Sequence, residues 1–265
     1  MERRSTRIAL WVWVVLVLAF LYVPIGIICL YAFNESNVQS WPITGFSTKW
    51  FGPAIHNPEM QSSLWLSLKA AALATVVALV LGTLASFGVH RFRFFGREAI
   101  SFLLVLPIAL PGIITGMALN SYFTYWKLNF GLLTIVIGHA TFCVVVVYNN
   151  VIARLRRMPG SLTEASMDLG ADGIQTFRHV IFPTISTALI SGGLLAFALS
   201  FDEVIVTTFT AGAENTLPIW IFGQIRLGQQ LPQVNVVVFL VLAATVIPVA
   251  LAQRLTSESG ILRTE

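Results

Sequence analysis

Two adjacent carboxylates, Asp202 and Glu203, form the only acidic pair inside any stretch of this chain apolar enough to enter a bilayer. An ionised group in hydrocarbon costs from about 2.5 kcal/mol upward, so each needs a partner or a wet cavity. Two roles suit such a pair. It either fixes helix packing through hydrogen bonds or attracts a cation passing through the membrane. Read as one helix over 184–211, successive residues turn by roughly 100°, so the two side chains face different ways. Glu203 then shares its face with Ser200, Thr207 and Thr210, and farther along with Ala196 and Gly192, which makes a small, polar stripe. Asp202 falls with Leu195, Ala198 and Phe209, a packing surface. This geometry favours Glu203 as the pathway residue and gives Asp202 structural partners.

A second constellation, at about 154–183, is the one polar passage in the second half of the chain. Ser161 is a natural helix N-cap, and Glu164 three residues later completes a capping box. Leu162, Ala165 and Leu169 recur at helical spacing. Gly170 suits a left-handed helix end, and Asp172 with Gln175 opens a second helix before a break or kink at Pro183. The passage therefore reads as a helical elbow with an apolar face. Its plainest alternative is a capped connector between two spans.

Other chemistries find no foothold. No Gly-Lys pair occurs, so there is no phosphate-binding loop and no ATPase of the chain's own. His56, His90, His139 and His179 lack metal-ligand spacing, so no metal site is expected; His139, inside a span, reads as a hydrogen-bonded structural residue. Neither a nucleophile elbow nor a zinc-binding helix appears. Cys29 and Cys143 both fall in apolar runs, where they act as small apolar residues rather than a disulfide.

The elements that position these groups are membrane spans. Only 11% of the 265 residues are charged and 56% are hydrophobic, against about a quarter charged in soluble domains. Apolar runs of the length that crosses a bilayer recur, at 8–33, 63–89, 100–125, 131–153, 184–211 and 234–252. The expectation is an all-α polytopic membrane protein with six transmembrane helices and a single domain over 1–265. Pro24 kinks the first run, which is too long for a signal-peptide core. Pro107 and Pro111 bend the third, where Gly112 and Gly116 permit close helix approach. Trp41, Trp50 and Phe51, between the first two runs, form an interfacial belt or face a ligand. The arginines fix the sides: Arg3, Arg4, Arg7, Arg91, Arg93, Arg97, those of the elbow, Arg254 and Arg263 gather in alternate loops. Both termini and the elbow are thereby expected in the cytoplasm. The same asymmetry explains the net charge of +4 without a nucleic-acid partner.

Glu164-Ala165-Ser166, Gly170, Val180 and Phe182-Pro183 resemble the EAA loop of ABC importer permeases, whose pattern is Glu-Ala-Ala, three residues, Gly, nine residues, Ile, any residue, Leu-Pro. Ser166, Val180 and Phe182 are mild departures from it. Leu199 to Phe209, Tyr31-Ala32-Phe33-Asn34, Thr48-Lys49-Trp50-Phe51 and Leu217-Pro218 are similar to PotC-type permeases of spermidine/putrescine importers, nearest their Ydc branch. Where some polyamine members carry an Asp after the third-span proline, this chain has Gly112. The resemblance implies a type I ABC importer (MetI-like) fold in a bacterial inner membrane. It implies a second permease subunit completing a heterodimeric pore, two ATP-binding cassette subunits that hold the ATP, and an extracytoplasmic substrate-binding protein. Transport is then by alternating access, with no cofactor in this chain and no chemistry on the substrate. The implied substrate is a small amine, putrescine or spermidine, or alternatively γ-aminobutyrate. Glu203, Asp202, Ser200, Thr207 and Trp50 are the pathway candidates, and Glu164, Ala165, Ser166, Gly170, Val180 and Pro183 the ATPase-coupling residues. An autonomous secondary transporter or channel would account for the acidic pair but not the elbow.

The topology is open to a direct measurement. A cysteine placed at Asp172 is expected to react with an impermeant thiol reagent only from the cytoplasmic side. Labelling from outside intact cells overturns the assignment of sides.

Overall fold

The structure is a computed structural model that describes the backbone of residues 4–92 and 95–261 and, Ser5 apart, their side chains as far as residue 246. Arg3, Arg93, Arg263 and the side chain of Arg254, which helped to assign the sides, lie outside the described residues. The helices in order are α1 (Arg4–Ala32), α2 (Phe51–Ile55), α3 (Pro58–Arg91), α4 (Arg97–Ala109), α5 (Gly112–Tyr125), α6 (Leu132–Arg157), α7 (Gly160–Asp168), α8 (Gly173–Thr176), α9 (Phe182–Asp202), α10 (Ile205–Thr210), α11 (Leu217–Leu227) and α12 (Leu231–Ile261). Among the described residues there is no strand, only an isolated bridge between Asn34 and Phe46.

The chain divides into two compact units. The first comprises Met1–Gln61 and Ile221–Glu265. Phe33, Phe51 and Phe239 meet in it with ring centroids 5.1–6.0 Å apart, and Asn57 Nδ2 donates to the Oε1 atoms of Gln230 and Gln233. From Ile8 to Val23 the large side chains of α1 stand exposed, Phe20 at 81%. Bare apolar surface of that extent suits hydrocarbon surroundings, because lipid tails are as apolar as the side chains.

The second unit, Ser62–Trp220, is built on α6. Its face carrying Cys143, Val147, Val151 and Leu155 is buried against Ile185 and Ala196 of α9 and Ala78 of α3. Tyr148 and Ile152 pack with Val89, Leu104 and Val105, which brings in α4.

Two expected spans are interrupted. Residues 100–125 do not form one bent helix: α4 and α5 are separate and meet at 102°. Leu110 between them is extended, at φ −79° and ψ 141°, as the ring of a following proline demands. The 184–211 span stops at Asp202 and resumes at Ile205. Among the described residues four helices are long and apolar enough to cross a membrane, and the α4–α5 pair makes five if it counts as one span. The sixth run lies in α12, whose described apolar part is Leu231–Val246.

The Gly112–Gly116 spacing serves the contact of α5 with α10. A Cβ on Gly116 would lie 2.5 Å from Phe209 Cδ2, and one on Gly112 would lie 3.4 Å from Ile205 Cγ2. One turn further on, Asn120 Nδ2 donates to the Phe209 carbonyl at 2.7 Å. Gly116→Val is therefore expected to destabilise the folded chain by about 1–3 kcal/mol, the usual range for overpacking. Gly26→Val, where an added Cβ meets nothing within 4 Å, is the control. Equal thermal unfolding of the two variants in detergent contradicts the contact.

Candidate functional site

The elbow is built from short-range signals, most of them as expected. After Leu169 the backbone turns left-handed at Gly170, φ 85°. The N–H of Gly170 donates to Met167 O at 2.9 Å and that of Ala171 to Ser166 O at 3.1 Å, the paired bonds that close a helix through a left-handed residue. Asp172 Oδ1 accepts from the N–H groups of Ile174 and Gln175, and Gln175 Oε1 accepts from the Asp172 N–H. Ser166 Oγ and Thr176 Oγ1, 3.1 Å apart, tie α7 to α8.

Two details differ. Helix α7 starts at Gly160, with Pro159 as the flanking extended residue, so Ser161 is already inside the helix and makes no capping bond. The Pro159 carbonyl accepts from Leu162 N–H instead. Nor is the chain broken at Pro183, since one helix runs from Gly173 to Asp202. A π turn, Phe177–Ile181, precedes the proline, and Phe182 N–H reaches back to Phe177 O. Such a widened turn accommodates a residue that has no N–H to donate. Phe177 also packs edge-on to Phe87 of α3, with centroids 5.7 Å apart. Of the coupling candidates, Glu164 and Ala165 are exposed beside Gly170 and Pro183, while Ser166 and Val180 are half-buried. The turn displays uncovered apolar side chains, with Leu169 89% and Ile174 79% exposed.

At the other end of this helix lies the break. Glu203 is extended, at φ −72° and ψ 118°. Its Oε1 accepts from the Val206 N–H at 2.9 Å, and its carbonyl accepts from Thr207 Oγ1 at 2.6 Å. The side chain thus satisfies one of the open donors that begin α10. Across the break stands His139 of α6, fully buried, with Nδ1 2.7 Å from Ser200 Oγ and Nε2 2.8 Å from Thr207 Oγ1. Because the Thr207 proton goes to the Glu203 carbonyl, its oxygen accepts from Nε2–H. Nδ1 then accepts from the Ser200 hydroxyl. One imidazole holds both half-helices.

The stripe of Ser200, Thr207 and Thr210 is therefore buried against α6. The wheel that joined these residues to Glu203 assumed a helix continuing past Asp202, and the helix ends there. Asp202 is exposed, and its carboxylate makes no hydrogen bond or ion pair with the described residues. Trp50 belongs to the other unit; its Nε1 donates to Asn34 O and the Lys49 ammonium lies 5.1 Å from its ring. His139 is the hydrogen-bonded structural residue the sequence implied, but its partners, 61 and 68 positions away, were hidden from sequence reasoning.

Apolar helices of membrane-spanning length, one of them ending at a charged break, are those of a multi-pass membrane protein. Residues 76–257 match the family described as binding-protein-dependent transport system inner membrane component, and the chain belongs to that family. It is 38% identical over 245 residues to the putrescine transport system permease protein PotI of Escherichia coli K12, covering 88% of this chain and 86% of that one. It is 30% identical over 246 residues to the spermidine/putrescine transport system permease protein PotC of Haemophilus influenzae, covering 92% and 95%. The fold matches a chain of a bacterial ABC transporter involved in import of the acidic polysaccharide alginate, with a TM-score of 0.71, 18% identity and coverage of 96% and 98%.

Replacing His139 by Phe keeps an aromatic ring but strands the buried Ser200 hydroxyl, while Thr207 keeps its bond to the Glu203 carbonyl. The expected loss is about 1–3 kcal/mol for the group left unsatisfied. Adding Ser200→Ala to that variant is expected to restore part of the loss, because removing both sides of a buried hydrogen bond is close to neutral. Thermal unfolding in detergent checks this, and a double variant no more stable than His139→Phe refutes the clamp.

Proposed function

We propose that the chain is the transmembrane permease subunit of an ATP-driven importer that moves a small polyamine, such as putrescine or spermidine, by alternating access. The observation that carries the reading is the exposed apolar elbow rooted in the helix that ends at the acidic break. An elbow so exposed is suited to docking on another subunit, and its helix joins that dock to the only acidic pair in the spans. The names of the relatives supply the substrate class.

In this reading Glu164, Ala165, Ser166, Gly170, Val180 and Pro183 form the contact with one of two ATP-binding cassette subunits, which hold the ATP. A second permease subunit completes the pore, and a substrate-binding protein delivers the amine from outside. Both termini lie in the cytoplasm of a bacterium, and the chain sits in its inner membrane. Asp202 and Glu203 mark the substrate path at the break. Ser200 and Thr207 support them from behind, and Trp50 stands among the path candidates of the other unit.

Gly170 isolates the docking step. Its left-handed φ disfavours a side chain by about 1–2 kcal/mol, yet nothing lies within 4 Å of an added Cβ, so a substitution disturbs the turn alone. Gly170→Val is expected to reach the membrane but to lose capture of the ATPase subunits and ATP-driven uptake of labelled putrescine by the reconstituted complex. Gly160→Val, equally open but without positive φ, keeps both. Full capture and uptake by Gly170→Val would falsify the docking role.

A further inference from the structure

Helices α6 and α9 approach closely where a Cβ on Gly192 would lie 3.3 Å from Val147 Cα and 3.4 Å from Asn150 Cβ. Beside that contact, toward the elbow, lies a groove of about 450 Å³. Asn149, Asn150, Arg154 and Arg157 of α6 line it together with Thr187 and Ser191 of α9. Both arginines stand in the last turn of α6, where the apolar run of this span gives way to the polar elbow. The groove therefore opens at the level of lipid headgroups, at the membrane surface that carries the elbow.

Its polar groups are held but not used up. Arg154 Nε donates to Thr184 O at 2.8 Å, which orients the guanidinium and leaves the N–H donors of both terminal nitrogens. Arg157, three positions on and so on the same side of the helix, makes no hydrogen bond or ion pair with the described residues. The side chains of Asn149, Thr187 and Ser191 make no hydrogen bond with them either. Asn150 Nδ2 donates to Val146 O at 2.9 Å, so its side-chain oxygen remains an acceptor. No carboxylate is among the lining residues.

Two guanidinium groups on one cavity with no counter-charge make an anion site. Their planar forks match the oxygens of a phosphate, and basic pockets between spans take anionic lipid headgroups. We propose that this groove binds the phosphate of an anionic phospholipid, with a glycerol headgroup preferred. The phosphate oxygens accept from Arg154 and Arg157, while the Asn150 oxygen accepts from a glycerol hydroxyl. The hydroxyls of Thr187 and Ser191 serve as donors or acceptors. An ethanolamine headgroup would instead bring an ammonium that no carboxylate meets and two guanidinium groups repel. Leu195 and Leu199 follow Ser191 at four-residue intervals, 51% and 43% exposed, and carry apolar surface on from the groove toward the bilayer interior. Acyl chains use that surface and a soluble phosphate does not, which favours a lipid as the source. The site depends on neither the transport role nor its substrate.

Native mass spectrometry of the full chain, purified with its assembled subunits and titrated with lipid in detergent, gives the dissociation constant of the first lipid bound. Phosphatidylglycerol is expected to bind at least tenfold more tightly than phosphatidylethanolamine of the same chain length. Arg154→Gln combined with Arg157→Gln is expected to weaken phosphatidylglycerol at least tenfold. Arg157→Gln alone, which breaks no bond of the fold, is expected to weaken it at least threefold. Arg91→Gln combined with Arg97→Gln removes the same charge outside the groove and is expected to change it less than twofold. Equal losses in the two double variants reduce the effect to diffuse charge and overturn the site. Equal affinity for the two lipids overturns the headgroup assignment. Displacement of the lipid by an equal concentration of glycerol 3-phosphate makes a soluble phosphate the ligand, and binding to the isolated chain but not to the assembly makes the groove a subunit contact; each overturns the proposal.

Discussion

A helix interrupted inside hydrocarbon leaves backbone donors and acceptors that no solvent will meet, and the second unit is arranged around meeting them at one place. Between α9 and α10, Glu203 supplies an acceptor to Val206 N–H and Thr207 supplies a donor to the Glu203 carbonyl. Neither bond alone sets the relation of the two half-helices. His139 does so, because it bonds one hydroxyl on each. A buried network satisfied at every member specifies one arrangement, whereas one left partly unsatisfied is worse than an apolar core. The charged end of α9 can therefore sit at the surface of the unit while its flanks stay fixed.

The helices around the break come close for a related reason. Without solvent to drive apolar surfaces together, spans associate through close backbone approach and hydrogen bonds. Gly112 and Gly116 admit Ile205 and Phe209, and Asn120 completes that row with a bond to the Phe209 carbonyl. Thr134 Oγ1 donates to the Thr210 carbonyl at 2.7 Å and so secures the far end of α10 to α6. The short helix is held on two sides by groups that a bilayer could not replace.

What the sequence disclosed was local. The membrane class follows from run lengths, and the turn at Gly170 and the capping box at Asp172 follow from residues within four positions of each other. Ser161 was misplaced because Pro159 begins the helix earlier than the capping pattern implies. Pro183 was read as a break or kink, and the irregularity beside it is a π turn, which nothing in the composition announces. The break after Asp202 carries no proline or glycine; bonds to α6 and to the backbone of α10 accompany it, so a wheel drawn through it grouped Glu203 with Thr207 and Thr210, which lie beyond the break. That an acidic pair lies within an apolar run was legible, while its surroundings depended on contacts remote in the chain.

The helix from Gly173 to Asp202 has 30 residues, which at 1.5 Å per residue is a rod of about 45 Å. Its two ends do different things, since one carries the elbow's capped turn and the other a carboxylate. A rod of that length is a lever. Rotation by about ten degrees about the elbow end carries the far end through roughly 8 Å, more than one helical turn, with no internal hydrogen bond broken. Mechanical work done at the elbow end can therefore reach the other end as displacement, and the gain is set by chain length rather than by the chemistry of any residue between.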